Sequence, residues 1–75
     1  MTYVSAEAWW YAAMQRESTV SPEEELARRN KAHAHNQLNG IHDPDALADQ
    51  ELYILGKMDL QEYEAYLLFK HSPTA

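Results

Sequence analysis

Residues 21–44 open with Ser21-Pro22-Glu23-Glu24 and close with Leu38-Asn39-Gly40-Ile41-His42-Asp43-Pro44. Ser21 can cap a helix, Pro22 suits its first position, and Glu24 completes a capping box with Ser21. Gly40 supplies the left-handed residue on which helices commonly stop. Asp43-Pro44 repeats the start signal. The stretch therefore predicts a helix over 22–39 and the opening of another at 44. Glu24 with Arg28, and Glu25 with Arg29, are spaced for intrahelical ion pairs worth about 0.2–0.5 kcal/mol each. Large apolar residues in this helix are few, Leu26 and Leu38, so its core-facing stripe is narrow.

Towards the C-terminus, the helix from 44 runs to 55 and stops before Gly56, with Leu47, Glu51, Ile54 and Leu55 along one side and Leu52 and Tyr53 broadening it. His42 and Leu47 have hydrophobic-staple spacing. Asp59-Leu60-Gln61-Glu62 is a second capping box, opening a helix over 60–70 in which Leu60, Tyr63, Tyr66 and Leu67 recur at helical spacing. Met58 and Tyr63 bracket its start as a staple. Towards the N-terminus, Ser5 caps a helix over 6–17, Glu7 lies in its positive first turn, and Val4 and Trp9 have staple spacing. The expectation is an all-α fold, a small bundle of four short helices in one domain spanning 1–75, frayed at 1–4 and 72–75.

A chain of 75 residues buries only about 60% of its unfolded surface, and its core supplies about 3–5 kcal/mol of net stability. There is no cysteine, which removes disulfides and argues against a zinc knuckle. The remaining sources of stability are close helix packing and association with another chain. The lack of cysteine suits a reducing cytoplasm. No apolar run approaches the roughly 18 residues of a membrane span, and Met1-Thr2-Tyr3-Val4-Ser5 has no basic stretch leading into an apolar one. The expected location is cytoplasmic, without membrane contact.

Formal net charge is −6, and residues 41–75 hold seven carboxylates against Lys57 and Lys70. Such a surface repels phosphate, so a nucleic-acid partner is not expected, whereas a basic protein surface is favoured through faster encounter. Arg28, Arg29 and Lys31 form a basic strip that Glu23, Glu24 and Glu25 offset. No catalytic triad, glycine-rich phosphate loop or cofactor motif is present, and no enzyme activity, cofactor or metal is expected. His33 and His35 stand two apart, about 200° around a helix, and so diverge rather than converge on an ion.

Trp9, Trp10, Tyr11 and Met14 place large apolar groups around most of the first helix. Adjacent residues diverge by about 100°, so both indoles cannot occupy the centre of one core-facing stripe. One is at the core edge or on the surface, and for the second Trp both core and interface stay open. Tryptophan and tyrosine are enriched in binding hot spots. A self-associating structural protein, a homodimer through these aromatics, is the alternative to a module that binds a different protein.

From Glu25 to His71 the chain resembles the VbhA-type antitoxins, short helical chains that restrain Fic-domain adenylyltransferase toxins. The resemblance lies in the basic helix Leu26-Ala27-Arg28-Arg29-Asn30-Lys31-Ala32, the segment ending Leu38-Asn39-Gly40, the break at Asp43-Pro44-Asp45, and the phrase Gly56-Lys57-Met58-Asp59-Leu60-Gln61-Glu62. The family's inhibitory motif carries a glutamate, which pairs with a toxin arginine, just before the final glycine. Here Asn39 holds that place, and His35 stands where the family has a hydroxyl residue. Asparagine is uncharged and cannot form the charged fork with arginine. The resemblance implies docking on a Fic-type toxin without the same inhibition. The candidate partner-binding residues are thus Trp9, Trp10, Tyr11 and Met14 on the first helix and Arg28, Arg29, His35, Leu38, Asn39 and Gly40 on the second.

Overall fold

A computed structural model describes residues 3–72. It contains helices α1 (Ala6–Met14), α2 (Pro22–Asn39), α3 (Pro44–Ile54) and α4 (Leu60–His71), with no strand among the described residues. No described helix is long and apolar enough to cross a membrane. Part of the expected terminal fraying, at residues 1–2 and 73–75, lies outside the described residues.

Each start is made by the expected cap. Ser5 Oγ accepts from the Ala8 N–H at 3.0 Å, Ser21 Oγ from Glu24 at 3.1 Å, and Asp59 Oδ1 from Glu62 at 2.7 Å; Asp43 Oδ1 accepts a longer bond from Asp45 at 3.4 Å. Both glycine stops adopt positive φ, 65° at Gly40 and 69° at Gly56. The Ile41 N–H donates to Asn36 O and the Gly40 N–H to Gln37 O. Lys57 to Leu52 and Gly56 to Tyr53 repeat the pattern. These paired bonds satisfy carbonyls that a helix end leaves open.

Three expectations are corrected. Helix α1 ends at Met14 rather than Glu17. Its last turn tightens through Gln15 N–H to Ala12 O and Arg16 N–H to Ala13 O, after which Arg16 crosses to α4. Val4 is 95% exposed, so the Val4–Trp9 staple does not form; the Tyr3 ring stacks on Trp9 instead, centroids 5.2 Å apart. His42 and Leu47 are also both exposed, and the buried residues of α3 are Asp49, Leu52 and Ile54 rather than a row led by Leu47.

Helix α3 is the centre of the fold. It packs against α1, α2 and α4, and α1 also packs on α4, whereas α2 packs on α3 alone. Buried Ala13, Leu52, Met58 and Tyr66 form the core, with Trp9, Trp10, Met14, Tyr63 and Leu67 packed round it. Alanine at position 13 has little side chain to hold α1 away from its neighbours.

Polar contacts lock this core. Arg16 makes a two-pronged ion pair with Glu62, at 2.7 and 2.8 Å, and donates to Lys57 O at 2.8 Å. The Lys57 ammonium returns a bond to Arg16 O. Trp9 Nε1–H donates to Glu62 Oε2 at 3.0 Å. Across the bundle, Tyr66 donates to buried Asp49 at 2.7 Å, and Lys70 Nζ lies 2.6 Å from both Asp49 and Asp45. Burial, reinforced by the bond to Asp49, pushes the Tyr66 phenol up. The 15–21 connection runs over the end of α3, where Ser18 donates to Leu55 O and Thr19 to Gly56 O.

The Arg16 hydrogen bonds hold the Glu62 carboxyl below the usual carboxylate range, aided by Trp9. A depressed folded pKa gives stability that is present above the unfolded value, about 4.3, and lost as pH falls through the folded one. Glu62→Gln should therefore cost about 1–2 kcal/mol at neutral pH and flatten the loss of stability below about pH 4, as read from urea unfolding across a pH series. A second expectation concerns the glycines. A Cβ at Gly40 meets open space, whereas one at Gly56 would run into the Thr19 hydroxyl and lie 3.0 Å from Val20 Cγ1. Gly40→Ala should cost about 1–2 kcal/mol for the left-handed backbone alone, and Gly56→Ala distinctly more, seen as a larger fall in thermal midpoint.

Candidate functional site

The ten candidate residues fall on two separate flanks of α3, because α1 and α2 do not pack on each other. On the α1 flank, Trp9 is an internal pillar. Besides Tyr3 it meets the Tyr66 ring edge-on at 5.6 Å and Phe69 at 5.7 Å. Trp10 is half-buried and its indole N–H donates to Ala48 O at 3.1 Å. Met14 is half-buried against the core. Tyr11 is the most exposed of the four, at 58%, and its ring stands at 88° to that of Trp10, 5.2 Å away. These two rings border a cleft of about 300 Å³, with Glu7 on the α1 side, Asp45 and Asp49 on α3, and Lys70 on α4.

On the α2 flank the two arginines are used to seat the helix. Arg28 pairs with Glu24 at 2.9 Å, donates to Tyr53 O at 2.8 Å, and holds its guanidinium 4.3 Å from the Tyr53 ring centroid. Arg29 forms a fork with Glu51 at 2.7 and 3.1 Å and reaches Glu25 at 3.2 Å. Asn36, which is not among the ten candidates, exchanges two 2.8 Å bonds with Gln50 and is buried. Arg28, Ala32 and Asn36 lie at four-residue intervals, so one row of α2 faces α3. That periodicity was visible, but an arginine, an alanine and an asparagine carry no apolar signature. The seam is consequently polar.

The remaining α2 candidates point outward. His35 and Asn39 are exposed; Asn39 Nδ2 donates to His35 O at 2.9 Å and lies 3.3 Å from His35 Nδ1. Leu38 is 86% exposed, beside the open Gly40 turn. A groove of about 480 Å³ runs between α2 and α4 over α3, with Lys31, Ala32 and His35 on one wall and Tyr53, Ile54 and Tyr63 opposite. The Tyr53 and Tyr63 rings stack at 5.8 Å. Of the candidates, then, Trp10 and Tyr11 meet at one cleft, Arg28 and His35 at the groove, and Leu38, Asn39 and Gly40 at the far end of α2.

No family model, curated protein or solved structure matches the chain. Among the described residues no three or more His, Cys, Asp or Glu side chains group in a way that could hold a metal ion.

A helix held by one neighbour through polar contacts opens at lower free energy than the core. Hydrogen exchange should find the mid-α2 amides less protected than those of α3. Asn36→Ala, which leaves the Gln50 amide without its partner, should cost about 1–2 kcal/mol and accelerate exchange in α2 more than in α4.

Proposed function

We propose that the chain is a non-catalytic protein-binding module, an antitoxin-like subunit that docks α2 and the Leu38-Asn39-Gly40 turn on a basic surface of a partner such as a Fic-type toxin. The observation that carries this reading is the placement of α2. It is the longest helix, packs on α3 alone, and leaves Leu26 59% and Leu38 86% exposed. Covering an exposed leucine fully is worth about 1.5–3 kcal/mol; α4 also exposes Leu60 and Leu68, but it packs on both α1 and α3, whereas α2 has one neighbour. The net charge of −6 supports a basic partner, since opposite charge raises the encounter rate. His35, Leu38, Asn39 and Gly40, which stand in the place of the family's inhibitory motif, are exposed at the end of the same helix.

Asn39 adds a specific expectation. Its amide is held by the His35 carbonyl, and without charge it cannot form a carboxylate's two-pronged pair with an arginine. The reading is therefore docking, with inhibition by another route than that pair. The test is co-expression with the product of the neighbouring gene, expected to carry a Fic domain, followed by size-exclusion chromatography with light scattering. A one-to-one complex is expected, weakened about tenfold or more by Leu38→Asp, a loss of about 1.4 kcal/mol or more. A neighbouring gene that encodes no such protein, or a mixture that stays separate at micromolar concentration, would overturn the Fic assignment.

A further inference from the structure

We infer that the cleft between α1 and the α3–α4 pair receives one basic side chain, an arginine or lysine, from the partner protein. The inference rests on the protein-binding reading and names a contact for it away from α2. A cleft of about 300 Å³ lies at the small end of ligand-sized pockets. It has room for one extended side chain rather than for a helix.

Its chemistry selects a cation. The Trp10 and Tyr11 rings meet at 88°, giving two aromatic walls at right angles. The Trp10 indole is anchored by its bond to Ala48 O, so that wall is set before any ligand arrives, which lowers the ordering cost of binding. A guanidinium or ammonium over an aromatic face is attracted by the ring quadrupole. Glu7 precedes Trp10 by three residues and Tyr11 by four, on the same side of α1.

The charge count agrees. Glu7, Asp45 and Asp49 line the cleft against the single ammonium of Lys70. Lys70 is committed to Asp45 and Asp49, and Glu7 makes no ion pair among the described residues. The cleft thus already holds one cation at its α3 end and leaves a carboxylate open at its α1 end. An anionic side chain would meet net negative charge, and an apolar one would strip water from Glu7 without replacing it. Arginine suits the place best, since its flat guanidinium can lie on a ring while its fork reaches a carboxylate.

The probe is the blocked tripeptide acetyl-Gly-Arg-Gly-amide, titrated into the ¹⁵N-labelled full chain. The Trp10 indole N–H and the Tyr11 amide should shift saturably, with a midpoint of roughly ten millimolar or weaker, since a ring contact and an exposed ion pair together are worth about 1–3 kcal/mol. The Trp9 indole should stay in place. Glu7→Gln should weaken the binding about threefold or more, salt at about 0.5 M should do likewise, and acetyl-Gly-Glu-Gly-amide should cause no shift. Tyr11→Leu provides a second variant at an exposed position and should also weaken binding. Shifts that never saturate, or that are equal in wild type and Glu7→Gln, would overturn the inference. The two readings fail separately. Partner capture that persists while the peptide leaves Trp10 unmoved removes the cleft contact alone. Saturable arginine binding in a chain that captures no partner removes the protein-binding reading and leaves the cleft's preference for a cation standing.

Discussion

The two carboxylate oxygens of Glu62 accept hydrogen bonds from both terminal nitrogens of Arg16 and from the Trp9 indole. Glu62 stands in the first turn of α4, Arg16 just beyond the end of α1, and Trp9 in the middle of α1, so one side chain fixes both the distance and the rotation between these helices. Arg16 extends the clasp to the α3–α4 connection through Lys57 O, and Lys57 closes it by binding Arg16 O. A core whose fully buried large side chains are Tyr66, Leu52 and Met58 has little apolar area with which to choose among packings. Directional bonds between charged groups make that choice.

Helix α2 follows a different rule. Nothing in it resembles the Trp9–Tyr66 contact. It is seated by an amide pair, a guanidinium over a tyrosine and a forked arginine. Such contacts specify a position well, since each has one good geometry, but they add little net free energy because water offers comparable partners when they break. The molecule thus combines a three-helix core, α1, α3 and α4, with a fourth helix that is placed accurately and held lightly.

This division explains what was legible beforehand. The four helix starts, both glycine stops and the all-α class follow from bonds spanning two to six residues, carried by Ser5, Ser21, Asp43, Asp59, Gly40 and Gly56. Glu62 illustrates the limit. Its spacing from Asp59 marks a reciprocal cap, and its backbone N–H does bond to Asp59, but its carboxylate turns to a residue 46 positions away. Val4 likewise has staple spacing, yet Tyr3 takes the place against Trp9. Of the candidate residues, Leu38, Asn39 and Gly40 were legible as an outward end because a glycine stop is local. The inward turn of Trp9 and the seating role of Arg28 and Arg29 depended on where α4 and α3 arrive, which no local spacing records.

The amide pair between Asn36 and Gln50 has one more consequence. Helix α2 is joined to its neighbours at both ends, by the 15–21 connection and by the short 40–43 turn, so when the pair breaks the two amides, 14 positions apart, stay tethered to each other. The seat on α3 is then present at a high effective concentration and recaptures α2 ahead of any molecule that arrives by diffusion. A visitor aimed at the Arg28–Ala32–Asn36 row has to win that competition. One that addresses the outer rows, where Leu26 and Leu38 stand, has no rival among the described residues.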